Sequence, residues 1–248
     1  MSAAGEATPW PVVRRAGTAA DLHALDLPDR PGGHVWALEV TGSALVLGSA
    51  QPDSDVDRAV ARRRRVAVVR RRSGGGAVLL VPGEVIWCDL AVPRDGAGFT
   101  DDVGRQFRDA GDRWLTALRG LTDLPVASVT TADARPSVLG RVVCFAGRGP
   151  GEVCTGAEAK LVGLSQRRTR AGARVQGLVH RRFDARATAE LLAPGLRRIG
   201  VDPDAAVAAL ATTVAVVDLE AGAVAEALGA AGPSPRAEPP PAPAGGAT

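Results

Sequence analysis

The sequence has one lysine, no tyrosine and no asparagine, and only four tryptophans and four phenylalanines in 248 residues. Lys plus Arg total 30, so every basic side chain other than Lys160 and the three histidines is an arginine. With aromatics at 3% of the chain, the core must be aliphatic, built mainly from Val, Leu and Ala. The three cysteines, Cys88, Cys144 and Cys154, are odd in number and lack zinc-type spacing. That argues against a disulfide framework and predicts free thiols in a reducing cytoplasm. His23, His34 and His180 are too scattered to predict a metal site. No apolar run approaches the roughly 20 residues that cross a bilayer. The N-terminal Met1-Ser-Ala-Ala-Gly-Glu-Ala-Thr-Pro9 has no basic-then-apolar signal pattern. A cytoplasmic protein with no membrane partner is expected. A formal net charge of +3 is too small to indicate a nucleic-acid partner.

What is present suits one sizeable α/β domain: 46% hydrophobic residues distributed in short periodic segments. Residues 1–33, with several Pro and Gly, are expected to form a loose lead-in, and 34–230 the main folded domain. The Pro/Ala-rich stretch 231–248 is expected to be a disordered tail. Strands are predicted at Val35–Val40, Ala44–Leu47, Val66–Val69, Ala77–Val81 and Val85–Val92. A helix over Asp101–Leu121 follows, with Val103, Phe107, Ala110, Trp114, Leu118 and Leu121 on one buried stripe. More strands are predicted at Val142–Phe145, Lys160–Ser165 and Val175–Val179, the last two joined by a turn at Thr169–Gly172. Short helices are predicted over a stretch ending near Arg65 and at Ala185–Leu192, Pro203–Thr212 and Leu219–Leu228. Strands, then a long helix, then strands again indicate an α+β, mixed-sheet domain flanked by helices.

Two features carry chemistry. Lys160, in Gly156-Ala-Glu-Ala-Lys160-Leu-Val-Gly163, offers what guanidinium does not: a compact point charge with three rotatable donors. Upstream, Arg70-Arg-Arg-Ser-Gly-Gly-Gly-Ala-Val78 joins a basic stretch to an apolar strand. Successive glycines let main-chain N–H groups approach an anion closely, and Arg70 to Arg72 are placed to clamp a phosphate or carboxylate. The glycines are neither a P-loop, because no Lys-Ser or Lys-Thr follows, nor a dinucleotide fingerprint, because a strand follows rather than a helix. The run Arg62–Arg65 reads as the solvated end of a helix; no aromatics interleave the arginines to stack bases.

Together these segments resemble the lipoate–protein ligase and octanoyltransferase family. The segment from Arg70 to Val78 resembles its lipoate-binding signature. Ala159-Lys160-Leu-Val-Gly163 with Ser165-Gln-Arg-Arg168 resembles the motif containing its active-site lysine. The resemblance covers roughly residues 35–200 and implies the biotin/lipoate ligase fold, related to class II tRNA-synthetase catalytic domains. It also implies that Arg71 contacts the phosphate of an acyl-adenylate, that Ser73, Gly74, Gly75, Gly76, Ala77 and Val78 line the acyl pocket, and that Lys160 holds the carboxyl and phosphate oxygens. Arg70, Gly163 and Ser165 are counted with the substrate-binding set.

The leading expectation is an enzyme that attaches lipoate or octanoate to a lysine of a lipoyl carrier domain through an acyl-adenylate. ATP and Mg²⁺ would be required, and a fixed ammonium would stabilise charge shifting between two anions. The chain departs from the ligase pattern at Leu80-Val81 and Glu84, which fill the places of a His-Asp pair and an Asn, polar groups near the nucleotide. Val143-Cys144-Phe145, ahead of Lys160, resembles the octanoyltransferase branch, where such a cysteine forms an acyl thioester without ATP. A thiol is a poor nucleophile until ionised, which a nearby ammonium favours. The alternatives are therefore an octanoyl-carrier-protein transferase acting through Cys144, or a non-catalytic acyl-binding member. Expected partners are lipoyl domains of 2-oxoacid dehydrogenase complexes or the glycine cleavage H protein, with an acyl carrier protein as donor in the transferase case.

Overall fold

A computed structural model of the chain describes residues 9–27, 31–128, 134–135, 137–156 and 159–231. Its elements, in chain order, begin with strand β1 (Val12–Gly17), helix α1 (Ala19–Ala24), and strands β2 (His34–Val40) and β3 (Ala44–Leu47). Helix α2 (Arg58–Arg63) leads to β4 (Ala67–Arg70), β5 (Val78–Leu80) and β6 (Val85–Pro93), followed by the long helix α3 (Val103–Arg119). Strands β7 (Val126–Ser128), β8 (Val153–Thr155), β9 (Lys160–Thr169) and β10 (Gly172–His180) complete the sheets. Four helices close the chain: α4 (Ala185–Leu191), α5 (Ala193–Arg198), α6 (Pro203–Thr213) and α7 (Ala221–Ala230).

Seven strands form a mixed sheet in the order β1-β2-β6-β10-β9-β8-β7, parallel only between β1 and β2. A smaller sheet, β4-β3-β5, pairs β3 parallel to β4 and antiparallel to β5. Alternation along β6 divides the core. Ile86, Cys88, Leu90 and Val92 pack with Trp114, Leu118 and Leu228 of α3 and α7 on one face. Trp87 and Ala91 point to the other face, where the small sheet and α4 to α6 supply Leu45, Leu80, Leu191 and Leu210. Helix starts are set by side-chain caps: Asp57 accepts from Ala59 and Val60 N–H, Asp102 from Arg105, Asp184 from Ala187, and Asp202 from Asp204 and Ala205.

Several local expectations change. Val142–Phe145 is not a strand: two short 3-10 turns, Leu139–Arg141 and Cys144–Ala146, frame it, and only Ala77 bridges Val143. The apolar run reflects burial rather than sheet pairing, since Val142 and Val143 pack into the core beside the small sheet. Val103, placed on the buried stripe, is 48% exposed, because it begins the first turn of α3 beyond the packed region. Part of the segment expected as a loose lead-in is built into the sheet: β1 lies along β2, and Trp10 is buried with the Arg113 guanidinium 3.7 Å above its ring. Beyond Ala231 the Pro/Ala-rich stretch lies outside the described residues. Among the described residues, no helix is long and apolar enough to cross a membrane.

Candidate active site

Between the two sheets lies a cleft of about 400 Å³, its open mouth included. One wall is Val78 and Leu80 of β5; the other is Gly163 and Ser165 of β9 with Gln176 and Leu178 of β10. Trp87, Cys144 and Phe145 narrow it, and Arg71 and His23 border it. The Phe145 ring lies so close to Gly163 that a Cβ there would come within 2.8 Å of it. A glycine in β9 is therefore what admits this ring to the cleft wall.

The glycine segment does its work through backbone packing. Ala77 exchanges main-chain hydrogen bonds with the segment that carries the cysteine: its N–H donates to Val142 O at 2.8 Å and its carbonyl accepts from Cys144 N–H at 2.9 Å. Gly76 sits against that segment so tightly that a Cβ would meet Gly140 O, Val142 C and Val143 N at 2.8 Å. Gly75 has φ +98°, open to glycine but strained for other residues, and a Cβ there would lie 3.7 Å from Cys144 Sγ. Gly74 has open space where a side chain would project.

The arginines before the glycines are differently employed from expectation. Arg71 is buried, and its Nη2 donates to Gly74 O at 2.6 Å and Gly76 O at 2.9 Å, with Nη1 3.3 Å from Val46 O. The guanidinium thus braces the loop from inside. Arg70 donates to the carbonyls of Gly48 and Gln51 at 2.7 and 2.6 Å and pairs with Asp53. It staples the 48–53 loop and does not reach the cleft wall. Arg72 is exposed and stands 3.6 Å from Asp26.

Lys160 and Cys144 come together with an acid, Glu152, that belongs to neither motif. Lys160 Nζ donates to the Cys144 carbonyl at 2.8 Å and to Glu152 Oε2 at 2.7 Å, and both charged side chains are almost wholly buried. Glu152 is itself saturated: Oε2 accepts from Gly149 N–H at 2.7 Å and Oε1 from Leu164 N–H at 3.1 Å. A buried ion pair so bonded is stable in place, and losing either partner strands a charge. The glycine loop and the lone ammonium therefore meet at one residue, Cys144. Cys144 lines the cleft, while Lys160, which does not, grips its backbone carbonyl.

A polar cluster occupies the cleft where β9 and β10 pair through Ser165 and Gln176. Ser73 Oγ donates to Gln176 Oε1 at 2.7 Å and lies 3.0 Å from Ser165 Oγ. Gln176 Nε2 is 3.0 Å from His23 Nδ1, and the His23 ring packs 4.6 Å from that of Trp87. Burial, with the nearby Arg174 and Arg71 charges, pulls the His23 pKa from 6.5 down to about 3. His23, Trp87, Gln176 and Glu152 were not among the expected site residues. The alternation of β6 and β10 marks Trp87 and Gln176 as sharing a face, but nothing in the sequence tells which face carries the cleft.

Ser73, Val78, Gly163 and Ser165, all expected at the substrate, do converge on the cleft or its polar cluster. Gly74, Gly75, Gly76 and Ala77, expected to line the pocket, are not among the residues lining the cleft; Gly76 and Ala77 pack instead on the segment that carries Cys144. Among the described residues no group of three His, Cys, Asp or Glu is gathered as for a metal ion.

Residues 27–228 match the lipoyl protein ligase A/B catalytic domain family, and the chain belongs to it. A structure of the bi-partite lipoate protein ligase and its E2 lipoyl domain from Thermoplasma acidophilum overlays with TM-score 0.61 at 16% identity, over 90% of this chain and 81% of that one. The putative lipoate protein ligase from T. acidophilum with bound lipoic acid gives TM-score 0.58 at 17% identity, covering 90% and 82%. Lipoate-protein ligase A bound with ATP gives 0.58 at 18% identity, covering 89% and 82%. At such identities the likeness is one of fold, and it agrees with the α+β mixed sheet expected. No curated protein matches the sequence.

Proposed function

We propose that this member of the lipoyl protein ligase family transfers an octanoyl or lipoyl group to a lysine of a lipoyl carrier domain through a thioester on Cys144. The observation that carries this reading is the division of labour between the two candidate side chains. Cys144, a free and partly exposed cysteine, lines an apolar cleft, while Lys160 is committed to Glu152 and to the Cys144 carbonyl.

In the first half-reaction the Cys144 thiolate attacks the carbonyl carbon of an acyl thioester donor, such as an acyl carrier protein. The new C–S bond forms as the donor's C–S bond breaks, and the donor departs as thiolate, to be protonated by solvent. In the second, the carrier lysine's neutral amine attacks the same carbonyl, an amide forms with loss of a proton, and Cys144 departs as thiolate. Lys160 acts as a positioning residue, fixing the Cys144 backbone at the cleft wall. The aliphatic walls hold the chain and keep water from the thioester. A lipoyl domain as acceptor is supported by the similar T. acidophilum ligase, which is described together with its E2 lipoyl domain.

A second reading, acyl-adenylate ligation, is favoured by fold likeness to the ATP-bound ligase and by the glycine and lysine motifs. There ATP is a substrate and Lys160 must exchange part of its bond to Glu152 for substrate oxygens. Purified protein, octanoyl-carrier protein and a lipoyl domain separate the two. Transfer without ATP, abolished in Cys144→Ser, supports the thioester route. Octanoate- or lipoate-dependent exchange between ATP and pyrophosphate that survives Cys144→Ser overturns it in favour of ligation.

A further inference from the structure

Gln176 fixes the tautomer of His23. Its Oε1 accepts from the hydroxyls of Ser73 at 2.7 Å and Ser165 at 3.2 Å, so the other end of the amide is the NH₂ group, which faces His23 Nδ1 at 3.0 Å. Nδ1 must therefore accept, and the ring proton belongs on Nε2. That nitrogen is buried and has no protein partner, although the ring borders the cleft. Buried donors are seldom left unpaired without a purpose.

The ring is also held in place. It packs on Trp87, and Arg174, buried against Asp89 with a 2.7 Å hydrogen bond, donates to the carbonyls of Leu22 at 2.8 Å and Leu25 at 3.0 Å. The end of α1 that carries His23 is thereby clamped to β10. Neutrality at ordinary pH follows from burial and the nearby guanidinium charges, which hold the ring's pKa at about 3. Ser165, whose hydroxyl joins this cluster, lies five residues along β9 from Lys160, about 16 Å of strand. The His23 ring therefore borders the cleft beside Ser165 and Gln176, at the opposite end of this stretch of β9 from Lys160.

We propose that His23 is a specificity-determining residue: its Nε2–H donates to an acceptor at the far end of the acyl chain, so the cleft favours a lipoyl group over an octanoyl chain of equal length. The dithiolane supplies sulfur acceptors, weak but suited to a fixed donor, and a soft ring that packs on the Trp87 indole. The proposal rests on the acyl-binding reading of this cleft.

Calorimetric binding of lipoate and of octanoate to the full chain tests it, using wild type, His23→Phe and His23→Gln. Wild type should bind lipoate about tenfold more tightly than octanoate, the scale of one net hydrogen bond. His23→Phe should bring that ratio near one, and His23→Gln, which keeps a donor, should restore part of it. A ratio unchanged in His23→Phe overturns the proposal, including when both affinities fall in parallel, because His23 is then only structural. Equal binding of the two acids by wild type overturns it as well while leaving the acyl-binding reading intact. Binding of neither acid overturns it too, and transfer from octanoyl-carrier protein to a lipoyl domain then shows whether the acyl-binding reading stands.

Discussion

The ammonium of Lys160 holds the backbone carbonyl of Cys144 at 2.8 Å, and Glu152, at 2.7 Å on the other side, keeps it there. The chain's one lysine thus serves the residue that lines the cleft rather than the cleft itself. A compact ammonium with three donors fits between a carboxylate and a carbonyl beneath the Phe145 ring, whose centroid is 5.5 Å away. Replacing Lys160 by Arg inserts a planar fork into a nearly closed space. We expect acyl transfer to fall by about 100-fold or more, as for a misplaced reacting group, with the folded state retained by circular dichroism. Undiminished transfer would remove Lys160 from the mechanism.

Glu152 can be separated from Lys160 by the kind of damage it causes. Glu152→Leu leaves the buried ammonium without its counter-charge, and the expected loss is about 3–5 kcal/mol in urea denaturation. Glu152→Gln keeps the shape and an acceptor for Gly149 or Leu164 N–H, so it should fold better while still slowing transfer. Equal stability of wild type and Glu152→Leu would contradict the buried pair.

The three glycines look equivalent in the sequence but not in space. Gly74→Ala projects into open space and should be close to wild type in both activity and stability. Gly75→Ala forces an L-residue to φ +98° and should cost about 1 kcal/mol or more. Gly76→Ala drives a methyl into the backbone of Gly140 to Val143. That should cost about 1–3 kcal/mol and displace Cys144, abolishing transfer. Thermal denaturation with a transfer assay checks the order.

His180 lies between the rings of Phe145 and Phe183, and burial lowers its pKa from 6.5 to about 4. The unfolded chain takes up a proton near pH 6.5 that the folded protein resists until about pH 4. Stability is therefore undiminished above pH 6.5 and falls as pH drops towards 4, by roughly 3 kcal/mol from this ring. His23 acts with the same sign, reaching lower pH. Urea midpoints between pH 7 and pH 4 should drop in wild type and drop less in His180→Phe; equal slopes would contradict the assignment.

Long periodic elements were legible from the residues alone. The stripe through Ala110, Trp114 and Leu118 located α3, and the turn at Thr169–Gly172 joined β9 to β10 as expected. Short elements were not. In β1, Val12-Val13-Arg14-Arg15 shows no alternation, because an edge strand parallel to β2 takes its order from a partner distant in sequence. Val142 to Phe145 carries a strand's composition, but the glycine segment packs against it and it turns instead. At the site, the glycines, Cys144 and Lys160 stood out by composition. His23 and Gln176 did not, because they enter the cleft only through the docking of α1 on β10, a tertiary event with no local signature.

The most direct measurement is the intact mass of the purified protein after incubation with octanoyl-carrier protein in the absence of ATP and acceptor. Thioester chemistry predicts one added octanoyl group, mapped by peptide analysis to Cys144, removed by hydroxylamine and absent in Cys144→Ser. An unmodified Cys144 in a preparation that still acylates its lipoyl domain would contradict it.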